Sequence, residues 1–187
     1  MGAINVHEFM TLDGVIDAPT WTAEFGFDPK MGETIATVMG GSKAVLLGRT
    51  TYEEFYPAWS TRTADDDPGA PFFNESPKYV VSGTLESADW DNSTILGPYD
   101  AERIRSLKEE VDGDIYVSGS GTLVRAMLAD RLVDDLHLFM FPLALGAGQR
   151  LFADDAGATR FTLAGCDAFG NGVLHLHYRT AEAASAA

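Results

Sequence analysis

The chain has 187 residues, 45% hydrophobic and 22% charged, the size and balance of one globular domain with its own core. A formal net charge of −15 excludes nucleic acid and an anionic membrane as principal partners, and it makes each basic residue a local exception. A single cysteine, Cys166, excludes an intramolecular disulfide framework and suits a reducing compartment.

In chain order, Ile4 to Met10 reads as a strand, followed by the turn signal Thr11-Leu12-Asp13-Gly14. Residues Pro29 to Gly40 carry apolar side chains at helical spacing (Met31, Ile35, Val38, Met39) and stop at Gly40-Gly41. A strand over 44–47 leads into a helix start over 50–56, and a polar loop follows around 60–76. Lys78 to Gly83 is a second strand-to-turn unit, and Asp100 caps a helix that runs to Val111. Strand 115–117 and helix 121–130 precede a strand-rich end: Asp134 to Phe141, stopped by Pro142, then Phe161–Leu163 and Val173–Tyr178. Alternating strands and helices with a strand-rich end imply an α/β fold whose sheet is mostly parallel and whose C-terminal strands are antiparallel. We expect a single domain over 1–180 and a frayed, Ala-rich tail over 181–187.

Two strand-to-helix turns carry the chemistry. The first, Leu47-Gly48-Arg49-Thr50-Thr51, sets backbone N–H groups, two hydroxyls and a guanidinium at the start of a helix. That grouping suits a phosphate, because a helix N-terminus is electropositive and Arg can bind two oxygens at once. The second, Val117-Ser118-Gly119-Ser120-Gly121-Thr122, has glycines that let a ligand approach the backbone, and a helix start that can face a pyrophosphate. It lacks the third glycine of the Gly-x-Gly-x-x-Gly dinucleotide fingerprint. Two such turns in one small domain favour a nucleotide ligand over plain connectors.

Other groups point elsewhere. His175 and His177 alternate on one strand and so share a face, as a two-ligand metal site requires, but no third ligand is evident and no metal is expected. The Asp65-Asp66-Asp67 run reads as a solvated loop. Trp21, Phe25, Phe27, Trp59 and Phe72 would suit a flat substrate if they lined one pocket, although such aromatics are more often core. The N-terminus lacks the basic and long apolar regions of a signal peptide, and no apolar run approaches the roughly 20 residues of a membrane span. A cytoplasmic protein is expected.

With these segments in order, the chain resembles the dihydrofolate-reductase-like superfamily. It is most similar to the reductase (C-terminal) domain of bacterial bifunctional riboflavin-biosynthesis deaminase-reductases and its stand-alone relatives. The residues that carry the likeness are Thr11 to Gly14, Leu47 to Glu53, Lys78 to Ser82, Val117 to Leu123, Leu132 to Leu136 and Pro142 to Phe152. The resemblance implies a three-layer sandwich and a small-molecule reductase that takes hydride directly from NADPH, lying across the carboxyl ends of the strands. It implies that Gly48, Arg49, Thr50 and Thr51 hold the adenosine side and its phosphates, and that Ser82 and Gly83 sit by the 2′-phosphate. Gly119, Ser120, Gly121 and Thr122 would contact the pyrophosphate, and Met10, Thr11, Asp13 and Gly14 would lie near the nicotinamide. The Gly119–Ser120 bond matches a position that is cis in dihydrofolate reductases.

The folate-binding carboxylate of those enzymes falls near Gly32 here, so the proton donor is assigned to Asp13 or Glu33, with water as the alternative. The substrate would resemble 5-amino-6-(5-phosphoribosylamino)uracil, with Lys30, Lys43, Arg62 and Arg150 as candidates for its phosphate. Two alternatives stand beside this: a non-catalytic NADP-binding module, which would bind NADPH without oxidising it, and a dihydrofolate reductase, which methotrexate would reveal. The likeness also implies a homodimer, with a seam at Leu136 to Phe141 and the glycine-rich loop after it.

Overall fold

The computed structural model describes residues 2–152 and 157–180. Eight strands form one sheet: β1 (Ile4–Thr11), β2 (Ser42–Gly48), β3 (Lys78–Val81), β4 (Ser93–Gly97), β5 (Asp114–Ser118), β6 (Asp135–Phe141), β7 (Phe161–Ala168) and β8 (Leu174–Thr180). The helices are α1 (Pro29–Gly40), α2 (Arg49–Trp59), α3 (Ala70–Glu75), α4 (Ala101–Glu110) and α5 (Gly121–Ala129). Strand order is β4-β3-β2-β5-β1-β6-β8-β7. Every pair from β4 to β6 is parallel, and β8 and β7 add on antiparallel, as the sequence pattern implies.

The chain moves outward from β1 to β2, β3 and β4, then turns back to insert β5 beside β1 and place β6 on the other flank. Because crossovers between parallel strands are right-handed, this reversal puts helices on both faces. On one face, α4 and α5 bury Ile104, Leu107, Leu123, Val124 and Met127 against Ile4, Val6, Ile115, Val117 and Leu136. On the other, Val38 and Met39 of α1, Tyr52 of α2 and Phe73 of α3 cover Val45, Leu47, Val80 and Tyr116. The reversal also opens a crevice at the carboxyl ends of β1, β5 and β2, where open α/β sheets bind ligands.

Several expectations are corrected by packing. The polar stretch 60–76 contains α3, held because Phe73 is buried against Trp59 and Tyr116. The Lys78 ammonium is itself buried and donates to the last carbonyls of α3, Phe73 at 2.8 Å, Ser76 at 2.9 Å and Asn74 at 3.3 Å. Strand β4 was not expected, since its five residues hold too short an apolar pattern to announce an edge strand. Strand β6 lies between β1 and β8 with Leu136, Leu138, Phe139 and Phe141 buried, so it cannot be a dimer seam. Exposed apolar side chains sit instead around the β7–β8 hairpin and its approach, at Leu163, Leu174, Phe152 and Leu145.

The Gly119–Ser120 bond is trans, and no cis bond occurs among the described residues. The aromatics do not form one pocket: Trp21 and Phe25 pack with Phe141, Trp59 and Phe72 join the cluster around Phe73, and Phe27 is 77% exposed. Asp66 and Asp67 hold turns, accepting from Thr63 and from the Gly69 amide. Beside His175 and His177, the sheet register brings His137 and Asp135, ligand types that spacing along one strand did not reveal. The expected tail over 181–187 lies outside the described residues.

Candidate functional site

A cleft of about 530 Å³ runs along the carboxyl ends of β1, β5, β2 and β3. Its floor is made by the two glycine turns. Gly48 precedes α2 and Ser120 precedes α5, and neither helix start is capped by a side chain. Both therefore present free N-terminal amides and the positive end of a helix dipole at the cleft. A Cβ at Gly121 would lie 2.5 Å from Ile16 Cδ1, so the Ile16 side chain packs directly over the bare backbone of this turn.

Ser120 joins the two turns. Its hydroxyl accepts from the Gly48 amide at 2.8 Å and donates to Thr51 Oγ1 at 2.8 Å. Ser120 does this from a left-handed backbone (φ 68°, ψ 50°) directly after Gly119 at φ 62°. A non-glycine residue in that region is disfavoured by about 1 kcal/mol or more, and the two hydrogen bonds offset it.

Gly48, Arg49, Thr50, Thr51, Ser82, Gly83, Gly119, Ser120, Gly121 and Thr122 all line this cleft, so residues far apart in sequence meet there. The Arg49 guanidinium lies at the rim, half exposed, and pairs with Glu53 one turn on at 2.9 Å. Ser82 Oγ accepts from the Thr84 and Leu85 amides, shaping the β3 turn and leaving its own proton to donate. The remaining expected residues stand behind the cleft. Met10 and Thr11 are buried, and Thr11 Oγ1 accepts from the Val15 amide while donating to Asp13 Oδ1 at 2.6 Å. Gly14 sits at φ 83° in that turn.

Asp13 also accepts from the amides of Leu145 at 3.2 Å and Gly146 at 2.7 Å. The hydrogen bonds from Thr11 and then Gly146 hold its pKa down to about 2. The group is thus a carboxylate acceptor that ties the 145–148 loop to the end of β1, and it has no proton to give near neutrality. Glu33 is exposed on α1 and does not line the cleft. Neither do Lys30, Lys43, Arg62 or Arg150; Arg150 donates instead to the Asp13 carbonyl.

Among the cleft residues that escaped the sequence reading are His7 and Glu8. Glu8 shares the inward face of β1 with Val6 and Met10, and the signal available was a charged residue at a core position. It is 3% exposed, its Oε1 has no hydrogen-bond partner, and burial pushes its pKa up to about 8. At neutral pH it is mostly a neutral carboxyl, hence a donor. His7, on the opposite face, hydrogen-bonds Tyr116 Oη through Nδ1 at 2.5 Å. Burial, then the neighbouring His137 and His175, push its pKa down to about 3, so it is a neutral imidazole.

Sheet order, crevice and paired glycine turns together define a reductase-type α/β fold of the dihydrofolate-reductase kind. Residues 3–175 match the RibD C-terminal domain family, and the chain belongs to that family. Its relatives in Bacillus subtilis include the uncharacterized proteins YyaP and YwjB. YyaP is 25% identical over 90% of each chain, and YwjB is 28% identical over 89% of this chain and 87% of its own. Among solved structures, a protein provisionally ascribed to riboflavin biosynthesis in Shewanella sp. PV-4 superposes with a TM-score of 0.78 at 18% identity, covering 97% of this chain and all of that one. The Thermotoga maritima deaminase/5-amino-6-(5-phosphoribosylamino)uracil reductase superposes at 0.67 and 17% identity, over 96% of this chain and 57% of that one. The Saccharomyces cerevisiae riboflavin biosynthesis reductase Rib7 superposes at 0.60 and 15% identity, over 96% and 90%. These likenesses establish the fold. No helix among the described residues is long and apolar enough to cross a membrane.

Proposed function

We propose that this protein is an NADPH-dependent reductase of a small molecule, related in activity to the pyrimidine reductases of riboflavin biosynthesis. The observation that carries the reading is the convergence of two uncapped helix N-termini on one cleft at the sheet's topological reversal, with Arg49, Ser82 and Glu8 also in its lining. Gly48, Thr50 and Thr51 would take the adenosine-side phosphate, and the turn from Gly119 to Thr122 the pyrophosphate. Arg49 would exchange Glu53 for the 2′-phosphate, and Ser82 would donate to it. Asp13, Met10, Thr11 and Gly14 would brace the loop closing the nicotinamide end.

Bound NADPH supplies the hydride. The chain supplies position and a proton, and of the carboxyl groups considered, Glu8 has the pKa suited to giving one near neutral pH. The substrate class is a carbonyl or imine compound such as the ribosylaminopyrimidine handled by the family's reductases. Arg49 is the only Arg or Lys lining the cleft among the described residues, so a substrate phosphate would compete with the cofactor for it.

The test is fluorescence titration with NADPH and NADH on wild type and Arg49→Ala, followed by turnover on phosphorylated and dephosphorylated ribosylaminopyrimidines. A charge-assisted contact to phosphate contributes about 1.5–3 kcal/mol, so Arg49→Ala should weaken NADPH roughly 10- to 100-fold and leave NADH unchanged. Equal, weak binding of both cofactors by wild type would refute the reading. Tight NADPH binding without oxidation on any substrate would favour the non-catalytic module instead.

A further inference from the structure

All four histidines of the chain, His7, His137, His175 and His177, gather on one side of the sheet. The register explains why. His7 of β1 stands opposite His137 of β6, and His137 stands opposite His177 of β8. Asp135 precedes His137 by two residues, and His175 precedes His177 by two, so each lies on the same face as its neighbour. His7 lines the first cleft, whereas Asp135, His137, His175 and His177 line a second one of about 510 Å³ beneath α1, reached past Thr34, Thr37 and Asn5. This cleft is toward the amino ends of β1 and β5, away from the glycine turns.

We propose that Asp135, His137 and His177 form a binding site for a divalent transition-metal ion such as Zn²⁺. One ligand atom from each lies within 4.8 Å of the others. Around a tetrahedral ion with bonds of about 2.1 Å, ligand atoms stand roughly 3.4 Å apart, so the stacked rings would turn to bring the set together on an ion. Two imidazoles and one carboxylate leave a fourth position open to the cleft, where water would sit.

The surroundings suit an ion. His177 Nε2 already meets Asp135 Oδ1 at 2.5 Å, and the ion would take the place of that proton. The ring of His137 stacks on His177 with centroids 4.1 Å apart, while its Nδ1 meets His175 Nε2 at 2.9 Å. His175 Nδ1 in turn faces Asp167 Oδ2 at 3.4 Å. If Asp167 accepts from His175 and His175 accepts from His137, the other nitrogen of His137 is left as a lone-pair donor, its orientation fixed from behind. One opposing feature is Arg179, whose Nε donates to Asp135 Oδ1 at 3.1 Å; this exposed side chain would swing away on binding.

The test is calorimetric titration of Zn²⁺ into the EDTA-treated protein, with NMR of the histidine rings in parallel. We expect one ion per chain, shifts of the His137 and His177 ring signals, and a melting temperature that rises with added Zn²⁺. His177→Gln and Asp135→Asn should each weaken binding at least tenfold, and Asp167→Asn, which acts only through His175 and His137, by roughly tenfold. The wild-type NMR reads the site even if a variant does not fold. Unmoved ring signals, or Zn²⁺ affinity unchanged in both His177→Gln and Asp135→Asn, would overturn the proposal.

Discussion

Replacing Glu8 by Gln isolates the cost of a carboxyl placed in the core. The native pKa is raised by burial from 4.5 to about 8. Between those values the unfolded chain has released the Glu8 proton while the native chain still holds it. The native state then binds more protons, so its stability falls as pH rises, by about 1.4 kcal/mol per unit for this one group. From pH 4.5 to 7 the loss accumulates to about 3 kcal/mol, a large share of a stability of order 10 kcal/mol. Glutamine has the same shape and cannot ionise, so the variant lacks this decline. Its amide brings donors into a place where Oε1 already has no partner, which costs roughly 1–3 kcal/mol at every pH. With a cost of about 2 kcal/mol, the variant should be the less stable protein below about pH 6 and the more stable one above it. Urea unfolding at pH 5.5, 6.5 and 7.5 measures this, and the difference between the two proteins cancels other titrating groups. Parallel curves would show that Glu8 ionises normally, and the assignment of Glu8 as proton donor would fall with them.

Two further outcomes follow from hydrogen bonds that cross the fold. Ser120→Ala removes both bonds joining the glycine turns and keeps the left-handed strain, for a loss of about 2 kcal/mol, whereas Ser120→Gly relieves the strain and should lose roughly 1 kcal/mol less. Chemical denaturation giving Ala the higher stability of the two would contradict this account. Lys78→Met strips a buried ammonium from three carbonyls at the end of α3 and should cost about 3 kcal/mol, lowering Tm by about 10 °C. A calorimetric shift of under about 2 °C would mean that water replaces the ammonium without loss.

Much of the parallel half of the fold was legible in the sequence, because its signals are local. Helix α1 falls at Pro29–Gly40 as its periodicity and glycine stop require, and Asp28 caps it through the Lys30 and Met31 amides. Asp100 caps α4 in the same way, accepting from Glu102 and Arg103. The two glycine turns were legible for a related reason: a strand that ends at glycine before a helix must present its first amides somewhere. What lay beyond the sequence depends on register and on the order of strands. Glu8 is an ordinary glutamate until β5 and β6 flank β1 and the fold buries it, and only that burial raises its pKa. Asp13 read as a proton donor until the 145–148 loop returned to hydrogen-bond it. His137 became the neighbour of His177 only through the antiparallel pairing of β6 with β8, a contact across forty residues that no local period encodes. The sequence by itself determined most of the elements and the two glycine turns, because backbone geometry and hydrophobic period act within a few residues. The tertiary structure decided protonation and ligation, because these depend on solvent exclusion and on charges brought close from distant parts of the chain.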